Sequence, residues 1–217
     1  MQVRRALSEP FGVNVFVVRE DDRAMVVDAT SGLDWDVFAP RLGHLLSGAA
    51  VERVFLTHLH VDHVGGAARM AALTGAPLLM HEDEAFAVET GDALATGAAL
   101  FDATMEAAPV TRLRTKDEVR LGARRFEVLS VPGHSPGHAA LWEPESRSLF
   151  SGDVVFEGGS FGRVDLPGGD ARELIRSLER LAALDPVNVY PGHMRAIEGG
   201  AREAILESLD NARLMLG

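Results

Sequence analysis

The sequence predicts an α/β protein in which helices cover sheets. Short apolar runs rich in valine alternate with longer stretches whose apolar positions recur every three to four residues, the pattern of strands interleaved with amphipathic helices. Several strand-like runs also end in a turn that carries a histidine or an aspartate, so the segments that build a sheet place reactive groups at its rim. No low-complexity linker, tandem repeat or charge discontinuity divides the 217 residues, which points to one domain spanning 1–217.

The elements follow in order. Val13 to Val18 and Ala24 to Val27 read as strands joined by the polar turn Glu20-Asp21-Asp22. Asp34 to Leu46 reads as a helix with Trp35, Phe38, Leu42, Leu45 and Leu46 on one side. Val51 to Leu56 is a buried strand, Gly65 to Thr74 a helix, and Leu78 to Met80 a further strand. Glu82 to Ala108, rich in Ala, Met and Phe, looks helical; Leu100, Phe101 and Met105 form an apolar face, for local packing or for a lid or dimer contact. Strands return at Val110 to Leu113, Glu118 to Leu121, Arg125 to Val131, Ala139 to Glu143 and Leu149 to Phe150. Asp170 with Glu173 resembles a capping box opening a helix whose Leu174, Ile175, Leu178, Leu181 and Ala182 point inward. Asn188 to Tyr190 is the last strand, and Ile205, Leu209, Ala212 and Leu216 mark a closing amphipathic helix.

Composition narrows the function classes. The net charge of -11 disfavours nonspecific binding to phosphate backbones, so no nucleic-acid partner is expected. The acidic runs Glu20 to Asp22 and Glu82 to Glu84 read as solvated turns and a helix start. Val13 to Val18 is too short to span a bilayer, and no basic-then-apolar leader opens the chain. The absence of cysteine removes disulfides and thiolate ligands, which fits a cytoplasmic protein.

The chemistry concentrates in Thr57-His58-Leu59-His60-Val61-Asp62-His63, where three of the chain's eight histidines and one carboxylate follow a strand directly. Packing gives no reason for that crowding. Imidazole nitrogens and a carboxylate oxygen are ligands for zinc, and also suit iron or manganese. Alternation along an extended segment puts His58 and His60 on one face, while Asp62 and His63 sit where the chain turns into a helix. A helix N-cap role for Asp62 would explain that residue and leave the three histidines unexplained. Val131-Pro132-Gly133-His134-Ser135-Pro136-Gly137-His138, Ser151-Gly152-Asp153 and Tyr190-Pro191-Gly192-His193 each repeat the arrangement of a strand followed by a His- or Asp-bearing turn.

These motifs, in this order, resemble the metallo-β-lactamase-fold hydrolase superfamily from Asn14 to His193. The Pro-Gly-His-Ser-Pro-Gly-His stretch and Gly162-Arg163-Val164-Asp165-Leu166-Pro167-Gly168-Gly169-Asp170 are similar to its glyoxalase II-like (hydroxyacylglutathione hydrolase-like) branch. The resemblance implies a four-layer αββα sandwich and a binuclear site: His58, His60 and His134 on one divalent ion, Asp62, His63 and His193 on a second, and Asp153 bridging. It implies zinc, or else iron or manganese, and a metal-bridging hydroxide that cleaves a thioester or ester. Asp62 would orient that hydroxide or accept its proton. The excess positive charge of two such ions would favour a small anionic thioester.

His138 and Asp28 would hold ligands from behind, although Asp28 equally suits a plain turn. Arg163 would grip a substrate carboxylate or pair with Asp165, while His44 and His81 read as structural and Ser135 and Ser151 as loop hydroxyls. Tyr190 reads as a strand residue rather than the phenol that some lactonases use. Full-length glyoxalase II enzymes append a helical domain, whereas only enough chain for one helix follows His193, which counts against glutathione as the specific carrier. A lactonase remains open. So does a persulfide dioxygenase of the same scaffold, holding one iron at the positions of His58, His134 and Asp153, and so does a noncatalytic metal module. A homodimer is compatible with all of these.

Overall fold

A computed structural model describes residues 1–9, 11–101 and 103–217. It comprises two compact units, one of residues 1–113 with 120–124 and the other of residues 114–119 with 125–217.

The first unit is built on β1 (Gln2–Ser8), β2 (Val13–Glu20), β3 (Arg23–Val27), β4 (Ala50–Leu56), β5 (Leu78–His81) and β6 (Val110–Leu113), hydrogen-bonded in that order. β1, β2 and β3 run antiparallel, whereas β3 to β6 are parallel, because helical crossovers separate them. Those crossovers are α1 (Trp35–Leu46), the single turn α2 (Val61–Val64), α3 (Ala67–Thr74) and α4 (Glu82–Thr90). Every residue from Val13 to Val18 is buried, so both faces of β2 are covered, the expected state of a strand without alternation. Val15, Val17, Val26, Val54 and Leu56 pack with Phe38, Leu42 and Met70 from the helices. The apolar side expected for α1 is the one that packs here: Phe38 and Leu42 are buried, and Trp35, Leu45 and Leu46 lean on them.

Three expectations change in this unit. The opening residues form β1, whose polar edge-strand sequence carries no strand periodicity. β4 is buried only over its last three residues, Val54 to Leu56, just before the histidine motif. Among the described residues from Glu82 to Ala108, only α4 and a short 3₁₀ turn at Ala98–Phe101 are helical. Gly91 ends α4 in the left-handed conformation, and Gly97 and Pro109 discourage a further helix. Met105 is buried in the core, whereas Leu100 and Phe101 are exposed, so the three do not share one apolar face; Asp102 lies outside the described residues.

The second unit carries most of a mixed sheet in the order β12-β11-β10-β9-β8-β7, from β7 (Glu118–Leu121), β8 (Arg124–Ser130), β9 (Ala139–Glu143), β10 (Ser148–Gly152), β11 (Asn188–Pro191) and β12 (Ile197–Glu198); Arg120, Leu121 and Arg124 count with the first unit. β10 and β11 are parallel because α5 (Ala171–Ala183) connects them. β12 corrects the expectation that β11 ends the sheet; two residues are too few to show a period. Leu174, Leu178 and Leu181 of α5 and Ile205, Leu209 and Ala212 of α6 (Ala201–Leu216) close a separate core with Leu149 and Val189. Asp170 caps α5 by accepting from the Arg172 and Glu173 amides. The reciprocal half of the capping box is replaced: the Asp170 amide donates to the Gly133 carbonyl, and Glu173 pairs with Arg176.

Candidate metal centre

In the first unit, β4 delivers Thr57 and His58 to the sheet rim beside Asp28, which follows β3. Asp28 is buried and has φ 69, a left-handed conformation that aspartate tolerates better than most residues. Its carboxylate accepts from the Thr57 amide at 2.8 Å and from the Thr57 hydroxyl at 3.0 and 3.1 Å. Its Oδ2 also stands 2.8 Å from His63 Nδ1. Asp28 therefore grips the motif at both ends rather than serving as a plain turn residue.

The hydrogen-bond partners orient the rings. The Thr57 hydroxyl proton is committed to Asp28, so its oxygen accepts from His58 Nδ1 at 3.0 Å. His63 Nδ1 donates to Asp28. In the neutral form each buried ring then has its lone pair at Nε2, the form in which imidazole binds a cation. The ring centroids stand 4.2 Å apart for His58 and His63, and 4.8 Å for His58 and His60. Asp62 lies inside the turn α2, with Oδ2 3.6 Å from His63 Nε2. The N-cap position belongs to His60, so Asp62 is not a cap.

Gly65 and Gly66 follow because nothing larger fits. A Cβ on Gly65 would collide with the Ser31 carbonyl, and one on Gly66 with that of Ala29. The Ala29 amide donates to the His63 carbonyl and the Gly66 amide to that of Thr30, so the strand after β3 straps the motif in place.

The second unit builds a matching group. His134 lies in the turn after β8, and its Nδ1 donates to the Arg163 carbonyl at 2.7 Å, which again turns a lone pair at Nε2 toward the site. Asp153 follows β10, and its Oδ2 stands 3.7 Å from His134 Nε2 and 3.3 Å from His193 Nε2. These separations exceed a normal hydrogen bond. Two ligands bound at about 2 Å to one tetrahedral ion stand about 3.3 Å apart, so the spacing suits a shared cation. Asp153 is held from behind by His138, whose Nε2 accepts the Asp153 amide at 3.0 Å. That bond commits the His138 ring nitrogen to the backbone, the supporting position expected for it. Gly162 is obligatory, since a Cβ there would strike the Asp153 carbonyl.

Other expected residues fall where their surroundings dictate. Arg163 forms a two-pronged ion pair with Asp165 at 2.7 Å on each arm, which lowers the Asp165 pKa from 3.8 to about 2. It touches His134 through its main chain. His44 is exposed on α1, and His81 is the buried N-cap of α4. Tyr190 stacks on Phe150 at 4.9 Å as a strand residue; burial, then the negative Glu198, push its phenol pKa up against a lowering hydrogen bond with Ser148. Ser135 is a buried loop residue, as expected, whereas Ser151 is buried inside β10 rather than in a loop. Sequence reasoning missed Thr57 as a support and missed Glu84, a fully buried carboxylate whose Oε2 accepts the Leu59 amide at 2.8 Å. Glu84 sits in an acidic run that reads as solvated, so only its first-turn place in α4, just after a buried strand, could have marked it.

A family model of the metallo-beta-lactamase superfamily matches residues 8–193. The hydroxyacylglutathione hydrolase GloC of Haemophilus influenzae is 35% identical over 146 residues, 64% of this chain and 67% of that protein. Among solved structures, the BLEG-1 B3 metallo-beta-lactamase aligns over 100% of both chains with a TM-score of 0.83 at 27% identity. TTHA1623, solved in a di-iron-bound form, aligns over 96% of this chain and 97% of its own with a TM-score of 0.75 at 30% identity. The α/β sandwich expected from the sequence is thus the fold of this chain, with helices flanking two mixed sheets. The chain belongs to the metallo-beta-lactamase superfamily, in its glyoxalase II-like branch.

Proposed function

We propose that this metal-dependent hydrolase is a thioesterase of glyoxalase II type, acting on a small anionic thioester. In this reading the two units are halves of one domain. His58, His60 and His134 would hold one divalent ion, Asp62, His63 and His193 a second, and Asp153 would serve both. The observation that carries it is the pairing of the rings: His58, His63 and His134 each set Nδ1 against an oxygen, so that a neutral ring would offer Nε2 to a cation. A donor set of imidazole and carboxylate fits zinc, and iron equally, in line with the di-iron form of TTHA1623.

Divalent ions bound there would lower the pKa of a bound water to about 7 and polarise an acyl carbonyl. The chain's own part is positioning and proton handling. Asp28, His138 and the Arg163 carbonyl fix the ligands, so little reorganisation accompanies the reaction. The Asp62 side chain, 19% exposed, is the carboxylate that would take a proton from the attacking water. Arg163, already paired with Asp165, is the weaker candidate for gripping substrate. Among the described residues no helix is long and apolar enough to cross a membrane, and the lack of cysteine fits a cytoplasmic enzyme. A homodimer is compatible with this reading.

The test is a panel of thioesters, lactones and phosphodiesters given to the zinc-, iron- and manganese-loaded protein. Thioesters should turn over fastest. A fully loaded protein that cleaves none of them, yet consumes oxygen with a persulfide, would overturn the proposal in favour of a dioxygenase.

A further inference from the structure

The segment from α4 to the 3₁₀ turn lies in the first unit and has no part in the ligand set, yet it touches the histidine loop twice. The Leu59 amide, between His58 and His60, donates to Glu84 Oε2 at 2.8 Å. The Val61 amide, between His60 and Asp62, donates to the Thr96 carbonyl at 2.9 Å. The two amides that flank His60 are therefore both held by residues 84–96. Glu84 and Thr96 are each 1% exposed, so neither bond is made on a wet surface.

The rest of the segment supports these contacts. Asp92 accepts from the Leu94 and Ala95 amides, and its carbonyl accepts from the Thr96 amide and hydroxyl, which fixes the turn that presents Thr96. A Cβ on Gly91, at φ 64, would meet the Met105 carbonyl at 2.6 Å, so the chain closes tightly behind the turn. A buried carboxylate is costly to place, and its use on a loop amide between two histidines calls for a reason. Position supplies one: Leu59 and Val61 set the directions of the side chains on either side of them.

We propose that residues 84–96 form a clamp on the histidine loop and that Glu84 is a positioning residue for His58 and His60. This rests on the reading that these histidines hold a metal ion, and not on which ester is cleaved. Glutamine at position 84 keeps an acceptor oxygen of the same reach, whereas leucine keeps the volume without the acceptor. Partners that stand behind metal ligands are worth about 10- to 100-fold in metal affinity.

The experiment is competition for zinc between a chromogenic chelator and the full-length parent, Glu84→Gln and Glu84→Leu proteins, alongside hydrogen exchange at the Leu59 amide of the metal-free parent. The expected results are zinc affinity near parental for Glu84→Gln, about 10- to 100-fold weaker for Glu84→Leu, and a strongly protected Leu59 amide. Equal affinity in all three proteins, or an equal loss in both variants, would overturn the proposal. So would a Leu59 amide that exchanges as fast as an open loop, a result that needs no variant to fold. A protein that binds zinc in this pattern and hydrolyses no thioester would sink the proposed activity and leave the clamp intact.

Discussion

His63 shows how much a single side chain can reveal. Alone it is a buried imidazole; with Asp28 at 2.8 Å on Nδ1 it becomes one whose other nitrogen faces the site with a lone pair. Asp28 was legible only as a candidate, because turn aspartates are common and its grip on Thr57 and His63 crosses about thirty residues of sequence. Arg163 and Asp165 offer a cleaner check at this scale. The guanidinium holds the Asp165 carboxyl near pH 2 in place of its ordinary 3.8. Because the folded-state pKa is depressed, the pair contributes fully above about pH 4 and its contribution is lost as the pH falls through 2. A carbon-detected NMR titration should place the Asp165 midpoint near 2, returning toward 3.8 in Arg163→Ala. Coincident midpoints in the two proteins would show that the ion pair does not form in solution.

Among elements, α5 was the most legible and the segment after α4 the least. The α5 sequence combines a capping aspartate with a leucine stripe, and local chemistry decides both ends of the argument. Residues 91–101 have the composition of a helix, but their course follows from Gly91, Asp92 and the Val61 amide that the Thr96 carbonyl accepts, which no periodicity encodes. Likewise β1 and β12 owe their existence to a neighbouring strand rather than to their own pattern. Leu178 is wholly buried in the core that α5 shares with α6, so Leu178→Ala should destabilise by about 2–5 kcal/mol, read by urea unfolding. It should leave the proposed thioester turnover per folded molecule unchanged. A loss below 0.5 kcal/mol, on the order of an exposed substitution, would mean that α5 does not pack as described.

For the whole molecule, the motifs carried more than composition could. The ordered His and Asp motifs pointed to the superfamily before any geometry, and the family match over residues 8–193 agrees. A net charge of -11 and the lack of cysteine support expectations about partners and compartment and name no reaction. The supports of the ligands were nearly invisible in sequence, since a carbonyl such as that of Arg163 can belong to any residue type. The account stands on metal binding by these side chains together. Calorimetric titration of zinc into the metal-free chain tests it most directly, comparing parent with Asp153→Ala. Saturation at two ions per chain in the parent, with at least one of them lost or greatly weakened in Asp153→Ala, is the predicted result. No saturable binding, or identical isotherms for the two proteins, would contradict it.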